Sequence, residues 1–370
     1  MSARFLTAVS GRAFNMRDRF GREIDYMRIS VIDSCNLNCY YCNPCDNNEH
    51  CHALNILSVK EVLCIVRAAT RLGIKHFRLT GGEPLLHPQL DEMVLQIKKI
   101  PGVSSVSLTT NAVLLAQHAK WLKEAGIDSI NVSLDTIDAS EYERITKKPL
   151  LEEVKHGINA AIECGIRVKI NVVLTPQTDV VALTRYVAKK GTDIRFIEMM
   201  PVGEGHTNGV EPYKKVIGTL SKLYGEPCRI NTEKTKEINS GNDKRKIPDN
   251  GPAEYYIFPE LGIRVGLIQA IHGKFCATCN RIRVTADGRL MPCLGSSVTM
   301  DLVPDSWDFA DDVEKDFAIV RALRAAIKAK PRCHNFNDNA VTYTKTTETK
   351  TTEIEAAEVN AARNMSRIGG

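Results

Sequence analysis

The sequence predicts an α/β fold: a partial (β/α)6 barrel, TIM-like but open on one side, followed by a smaller β-rich region. Three observations predict it. Short β-type runs alternate with helical stretches about six times, the pattern of parallel strands joined by crossover helices. Six units are fewer than the eight that close a full barrel. Near residue 225 the grammar changes to a polar loop and hairpin-like pairs. A doubly wound sheet shares the alternation, and the pattern alone leaves it open.

The β-type runs are residues 26–32, 76–80, 103–109, 129–134, 167–174 and 194–199, rich in Val, Ile, Leu and Thr. Apolar residues at helical spacing fill the segments between them, at 58–72, 88–100, 116–125, 151–164 and 180–189. Residues 231–252, rich in Lys, Asn, Gly and Pro, read as a loop. Runs at 255–258 and 263–268 flank a turn at 259–262, and Asp287-Gly288 marks a second hairpin turn. Residues 311–330 read as a helix, and the Thr- and Lys-rich stretch 341–353 as a tether. The expected organisation is a barrel core at 18–230, a C-terminal region at 231–335 and a flexible tail at 336–370 ending in Gly-Gly.

Composition excludes several classes. With 370 residues, 43% hydrophobic and 25% charged, the chain is ordinary globular protein rather than disordered or collagenous. No apolar run reaches the roughly 18–20 residues of a membrane helix. A net charge of +5, from 49 Lys and Arg against 44 Asp and Glu, is too small to imply nucleic acid, but suits an anionic small ligand if the positive groups converge. Twelve cysteines stand out. The Arg-rich, acid-poor start weakly resembles a mitochondrial presequence but has no apolar secretory core. The cytoplasm is the expected compartment, and there clustered cysteines point to metal.

Cys35, Cys39 and Cys42 form C-x3-C-x2-C directly after the first β-run. Three thiolates hold a [4Fe–4S] cluster by three irons and leave the fourth open to an exogenous ligand. A zinc site is the alternative, its fourth ligand coming from Cys45, His50, Cys51 or His52. Cys276, Cys279 and Cys293 form C-x2-C-x13-C, again three thiolates without an obvious fourth. Here a zinc ribbon completed by His272 is the alternative. Arg281 and Arg283 follow closely, and on a strand both point to one face while Ile282 and Val284 point to the other. Two adjacent guanidiniums suit phosphate oxygens.

C-x3-C-x2-C with Tyr41 before its third cysteine, and the run Thr80-Gly81-Gly82-Glu83-Pro84 after a strand, resemble the radical S-adenosylmethionine (SAM) enzymes. Glycines there fit a close approach of backbone to a ligand. With the second triad, the Arg-x-Arg pair and the terminal Gly-Gly, the chain resembles one family more closely. These are the GTP 3′,8-cyclases, which begin molybdenum-cofactor biosynthesis; the likeness runs from Asp18 through Cys293 and returns at 365–370. The resemblance implies a partial barrel of the radical SAM type, a lyase with two [4Fe–4S] clusters, SAM, and GTP as substrate. It places SAM against Tyr41, Gly82, Ser133 and Met200, and GTP against Arg28, Arg78, Thr109, Lys169 and Arg195. Arg281, Ile282 (through its backbone) and Arg283 fall on the phosphate side, and the open iron of the second cluster takes the guanine base. Gly369 and Gly370 match the catalytic tail.

The implied reaction cleaves SAM to a 5′-deoxyadenosyl radical, removes the 3′-hydrogen of GTP, and joins C3′ to C8 to give 3′,8-cyclo-7,8-dihydro-GTP. Implied partners are an electron donor, the next pathway enzyme (cyclic pyranopterin monophosphate synthase) and a second copy in a homodimer; neither nucleic acid nor a membrane is expected. Arg195 and Met200 have opposite strand parity, so the chain must bend near Glu198 if both face one cavity. The loop 43–52 departs from the family, whose sequences usually have Met-Pro and a short Glu/Gly segment there. A coil over 341–364 would span roughly 25–30 Å, enough to bring the Gly-Gly end to a barrel mouth. Cys64, Cys164, Cys228 and Cys333 read as buried thiols or bystanders. Two rival readings remain at this point: a radical SAM enzyme with an auxiliary cluster acting on a peptide, and a non-catalytic zinc-binding module.

Overall fold

The computed structural model describes residues 16–42, 55–202, 209–230, 251–296, 298–302, 312–334 and 336. Six parallel strands form its centre: β1 (Tyr26–Ser30), β2 (His76–Thr80), β3 (Ser105–Thr110), β4 (Ser129–Ser133), β5 (Val168–Val173) and β6 (Asp193–Ile197). The connections carry α1 (Val59–Arg71), α2 (Leu90–Lys98), α3 (Leu115–Glu124), α4 (Ala139–Thr146), α5 (Leu151–Glu163) and α6 (Val180–Lys189). After β6 come α7 (Gly218–Tyr224), β7 (Cys228–Arg229), β8 (Glu254–Ile257), β9 (Arg264–Ile268), β10 (Arg281–Val284), β11 (Arg289–Met291), β12 (Met300–Asp301) and α8 (Asp312–Ala329).

Helix starts follow their sequence signals. Ser58 caps α1 in a full capping box with Glu61, worth about 1 kcal/mol. Asp138 and Asp179 accept from the third residue of α4 and α6. The apolar face of α1 is buried through Val62, Ile65, Val66 and Ala69, and an Arg71–Asp316 ion pair at 2.7 Å ties α1 to α8.

Strand alternation decides which way the sheet faces. Met27, Ile29, Phe77, Leu79, Ile130, Val132, Ile170 and Phe196 are buried in one continuous apolar core with the helices. Their neighbours in sequence are polar and face the other way. In register across the sheet run Arg283, Arg28, Arg78 and Ser107. A second such row runs Ser133, Asn171, Arg195 and Gly266. Residues of this polar face from β10 at one side to β9 at the other line a single cavity of about 330 Å³. The sheet is therefore curled around the cavity, an open partial barrel rather than a doubly wound sheet.

The strand order is β12-β11-β10-β1-β2-β3-β4-β5-β6-β9-β8-β7. β9 continues the parallel sheet beside β6, and β10 continues it beside β1. Residues 269–280 thus run from one edge of the barrel to the other and bridge its open side. That segment carries Cys276 and Cys279. The expected hairpin at Asp287-Gly288 is β10–β11, with Gly288 at φ 77° in its turn.

Candidate functional site

All six cysteines of the two triads line the same cavity. Cys35, Cys39 and Cys42 lie on the loop after β1, at the C-terminal edge of the barrel strands where such folds place their sites. Cys276 and Cys279 come from the bridging segment, and Cys293 from the turn after β11. Burial pushes the Cys35 thiol up to about 11, and Cys39 and Cys293 are raised for the same first reason. Bare thiolates are disfavoured in such a place unless a cationic centre compensates them, which is what an iron–sulfur core does. The donor sets therefore fit two clusters. Among the described residues, no three His, Cys, Asp or Glu converge as closely as a single metal ion requires; Cys45, His50, Cys51 and His52, the alternative ligands of the first triad, lie outside the described residues.

The first loop is held by groups around it. Asn111 donates to Asn36 Oδ1 at 2.8 Å and to Cys35 Sγ at 3.8 Å. The Tyr41 hydroxyl donates to Asp135 Oδ2 at 2.5 Å, while Asp135 Oδ1 accepts from the Val173 amide at 2.7 Å. Asp135 is itself pushed up to about 6 by burial. Glu83 accepts from Leu85 N, Thr110 Oγ1 and Asn111 N at 2.6–3.0 Å, pinning the end of β2 to the end of β3. Burial moves its carboxyl up to about 7.

The glycines before Glu83 have a different cause from the one their sequence suggests. A Cβ on Gly82 would fall on the Ser34 carbonyl, and one on Gly81 on the Ile32 carbonyl. Gly82 N donates to Ile32 O at 2.7 Å and Glu83 N to Ser34 O at 2.8 Å. The close approach is thus made by the protein's own cysteine loop. Gly82 also lines the cavity.

The second triad is braced from two sides. Arg22 Nε donates to Asp18 at 2.5 Å, and its Nη1 to the Cys276 carbonyl at 2.8 Å. Lys330 Nζ donates to the carbonyls of Arg281 and Pro292 at 2.8 and 2.9 Å. Burial would raise the Cys279 thiol, but Lys330 and Arg281 outweigh it and hold it below its usual value. His334 Nε2 donates to the Ala270 carbonyl at 2.8 Å, and its ring stacks on Phe336 at 4.2 Å.

Between the triads stands the cationic wall. Arg28, Arg78, Arg281 and Arg283 line the cavity, as do Thr109 and Arg195. Burial and then Arg281 push Arg283 down to about 10; burial and then Arg283 and Arg78 lower Arg28. Arg195 Nε donates to Asn171 at 2.9 Å, in space left by Gly266, where a Cβ would meet Arg195 Cγ at 2.8 Å.

Among the expected SAM positions, Tyr41, Gly82, Ser133 and Met200 all line the cavity. The expected bend is present: β6 ends at Ile197, Glu198 N donates to Ile268 O, and both Arg195 and Met200 reach the cavity. Glu198 accepts from the Ile271 and His272 amides and pairs with the His272 ring. Lys169 faces inward but lies one layer deeper, its Nζ 5.8 Å from the Tyr255 ring centre, and it is not part of the cavity wall. The Ile282 side chain points away into the core, leaving only its backbone toward the arginines. Gly369, Gly370 and the loop 43–52 lie outside the described residues.

The sequence reading missed Tyr26, Asn111, Asp135, Lys330 and His334 as parts of this wall. Tyr26 and Asp135 each stand two residues from a predicted site residue, Arg28 and Ser133, so strand parity could have found Tyr26. Nothing local marks Lys330 or His334.

The Radical SAM superfamily model matches residues 29–182, and the Molybdenum Cofactor Synthesis C model matches residues 192–336. GTP 3′,8-cyclase of Clostridium perfringens (strain SM101 / Type A) is 35% identical over 87% of this chain and 95% of its own length. The GTP 3′,8-cyclase of Petrotoga mobilis is 35% identical over 88% and 96%. Among solved structures, Streptococcus suis SuiB bound to S-adenosylmethionine has a TM-score of 0.54 at 14% identity, covering 80% of this chain and 65% of that one, under two thirds of its length. Native anSMEcpe with bound AdoMet has a TM-score of 0.51 at 18% identity, covering 82% and 84%. These two likenesses concern the fold alone. No helix among the described residues is long and apolar enough to cross a membrane.

Proposed function

The chain belongs to the GTP 3′,8-cyclase family of radical SAM proteins, and from that premise we propose that it converts GTP to (8S)-3′,8-cyclo-7,8-dihydroguanosine 5′-triphosphate in molybdenum-cofactor biosynthesis. One observation carries the reading: two cysteine triads and a cluster of arginines share one cavity. A substrate anchored by its phosphates and its base fits such a wall, and a peptide substrate has no use for the arginines.

The residues divide the work. Cys35, Cys39 and Cys42 would hold one [4Fe–4S] cluster, with Tyr41, Gly82, Ser133 and Met200 around SAM. Cys276, Cys279 and Cys293 would hold the second, beside the base. With cluster and SAM bound, the first site would supply radical chemistry for hydrogen abstraction at C3′, and the second would fix the purine for ring closure at C8. Asp135 orients Tyr41 through its hydroxyl, and Asn111 orients Cys35. Arg28, Arg78, Arg281 and Arg283, with the Ile282 backbone, would grip the triphosphate; Thr109 and Arg195 would be further contacts of GTP. Lys169, held on the inward face of β5 beside the Tyr255 ring, would add a further positive charge toward GTP. Fixing both ends of one nucleotide matters because the reacting atoms must sit about 3–3.5 Å apart. Gly369 and Gly370 complete the site from the tail. A cytoplasmic setting, an electron donor, a homodimer and hand-over of the product to cyclic pyranopterin monophosphate synthase belong to the same reading.

The test is an anaerobic assay with GTP, SAM and a reductant. Cyclised nucleotide formed together with 5′-deoxyadenosine supports the proposal; 5′-deoxyadenosine without GTP consumption refutes it.

A further inference from the structure

We infer that Tyr26 binds the substrate's phosphate chain through its hydroxyl and aims Arg78 at the same group; this rests on the nucleotide reading above. Tyr26 lies on the polar face of β1, in register with Arg281 on β10 and His76 on β2, and it lines the cavity. Two guanidiniums approach its ring, Arg78 at 5.9 Å and Arg281 at 6.0 Å from the centre. Arg78 Nε donates to the Tyr26 hydroxyl at 2.5 Å. Arg78 Nη1 reaches the Leu108 carbonyl and Thr109 Oγ1 at 3.4 Å each. The phenol therefore fixes the near end of the guanidinium, while Nη1 marks the direction of its fork.

The donor and acceptor accounting then points to an anion. A phenol oxygen that accepts one hydrogen bond still has its own proton to give. Its charged neighbours Arg28, Arg78 and Arg281 are donors only and cannot take it. Among the described residues, no acceptor meets that proton. Phosphate oxygens only accept, so a phosphate entering beside the arginines supplies the missing partner, and the bond formed is charge-assisted. Burial by itself would raise the Tyr26 phenol, but Arg78, Arg28 and Arg281 outweigh it and hold it below its usual value, which makes it a better donor. A purely structural tyrosine, serving as a flat support for the arginines, would need the ring and not the hydroxyl.

Tyr26→Phe separates the two, because it keeps the ring and removes one oxygen. Equilibrium binding of GTP and guanosine is measured anaerobically on the chain carrying both clusters, with iron content checked against the parent. The inference expects GTP affinity to fall about tenfold, the worth of one hydrogen bond to a charged group, with guanosine affinity unchanged. In turnover KM rises and kcat stays within about twofold. Unchanged GTP affinity, or an equal fall for guanosine, overturns the role of the hydroxyl. A parent chain that binds guanosine as tightly as GTP overturns instead the nucleotide reading on which the inference stands.

Discussion

Arg283 and Arg28 stand in register across the parallel pairing of β10 with β1. Arg283 is buried and Arg28 half-buried, and burial first and neighbouring arginines second lower the readiness of each to be charged. Like charges brought together out of water are costly unless an anion joins them. Arg283→Ala and Arg281→Ala are each expected to weaken GTP binding at least tenfold, with SAM cleavage at the first triad still chemically competent. Equal GTP affinity in variant and parent, measured by equilibrium binding, contradicts the phosphate role.

Gly82 sits against the carbonyl of Ser34 with no room for a side chain. Gly82→Ala is expected to displace the loop that carries Cys35, costing about 3 kcal/mol or more as an overpacked site and reducing iron uptake. Gly218, at the start of α7, has open space around its Cβ position, so Gly218→Ala is the control and should leave iron uptake at the parent level. Thermal melting and iron assay of both variants decide the matter; similar behaviour of the two contradicts it.

Glu83 carries a pH signature. Its carboxyl moves from 4.5 up to about 7 because it is buried, so its contribution to stability is whole below pH 4.5 and is lost as pH rises through about 7. The difference in stability between the parent and Glu83→Gln should therefore move against the parent by up to about 3 kcal/mol between pH 4.5 and pH 8, at 1.36 kcal/mol per unit. Denaturant unfolding across that range checks it, and a flat or opposite trend contradicts the burial argument.

Deleting Gly369 and Gly370 is expected to abolish cyclisation while both clusters and GTP binding persist. Product formation by the truncated chain at the parent rate would remove the tail from the site.

Much of the fold was legible because the six central strands are apolar on the helix side and carry chemistry on the other. Helix α4 escaped notice: Ala139–Thr146 is short and polar, and only Asp138 with Glu141 three residues on marks its start. The site was legible where ligands cluster in sequence, as in both cysteine triads and the pair Arg281 and Arg283. It was not legible where contacts are long-range. The pairing of Tyr26 with Arg281, the grip of Arg22 on the Cys276 carbonyl and the reach of Lys330 to Arg281 arise only when the chain returns to its first strand. The reason for Gly81 and Gly82 was likewise hidden, since the atoms they make room for belong to Ile32 and Ser34.

Iron counting after anaerobic reconstitution, on the parent and on two variants with either cysteine triad replaced by alanine, tests most directly whether each triad holds its own cluster. The account expects about eight iron atoms per chain in the parent and about four in each variant, as two four-iron clusters require. A parent holding four irons, or one zinc, or losing all its iron when Cys276, Cys279 and Cys293 alone are replaced, would contradict it.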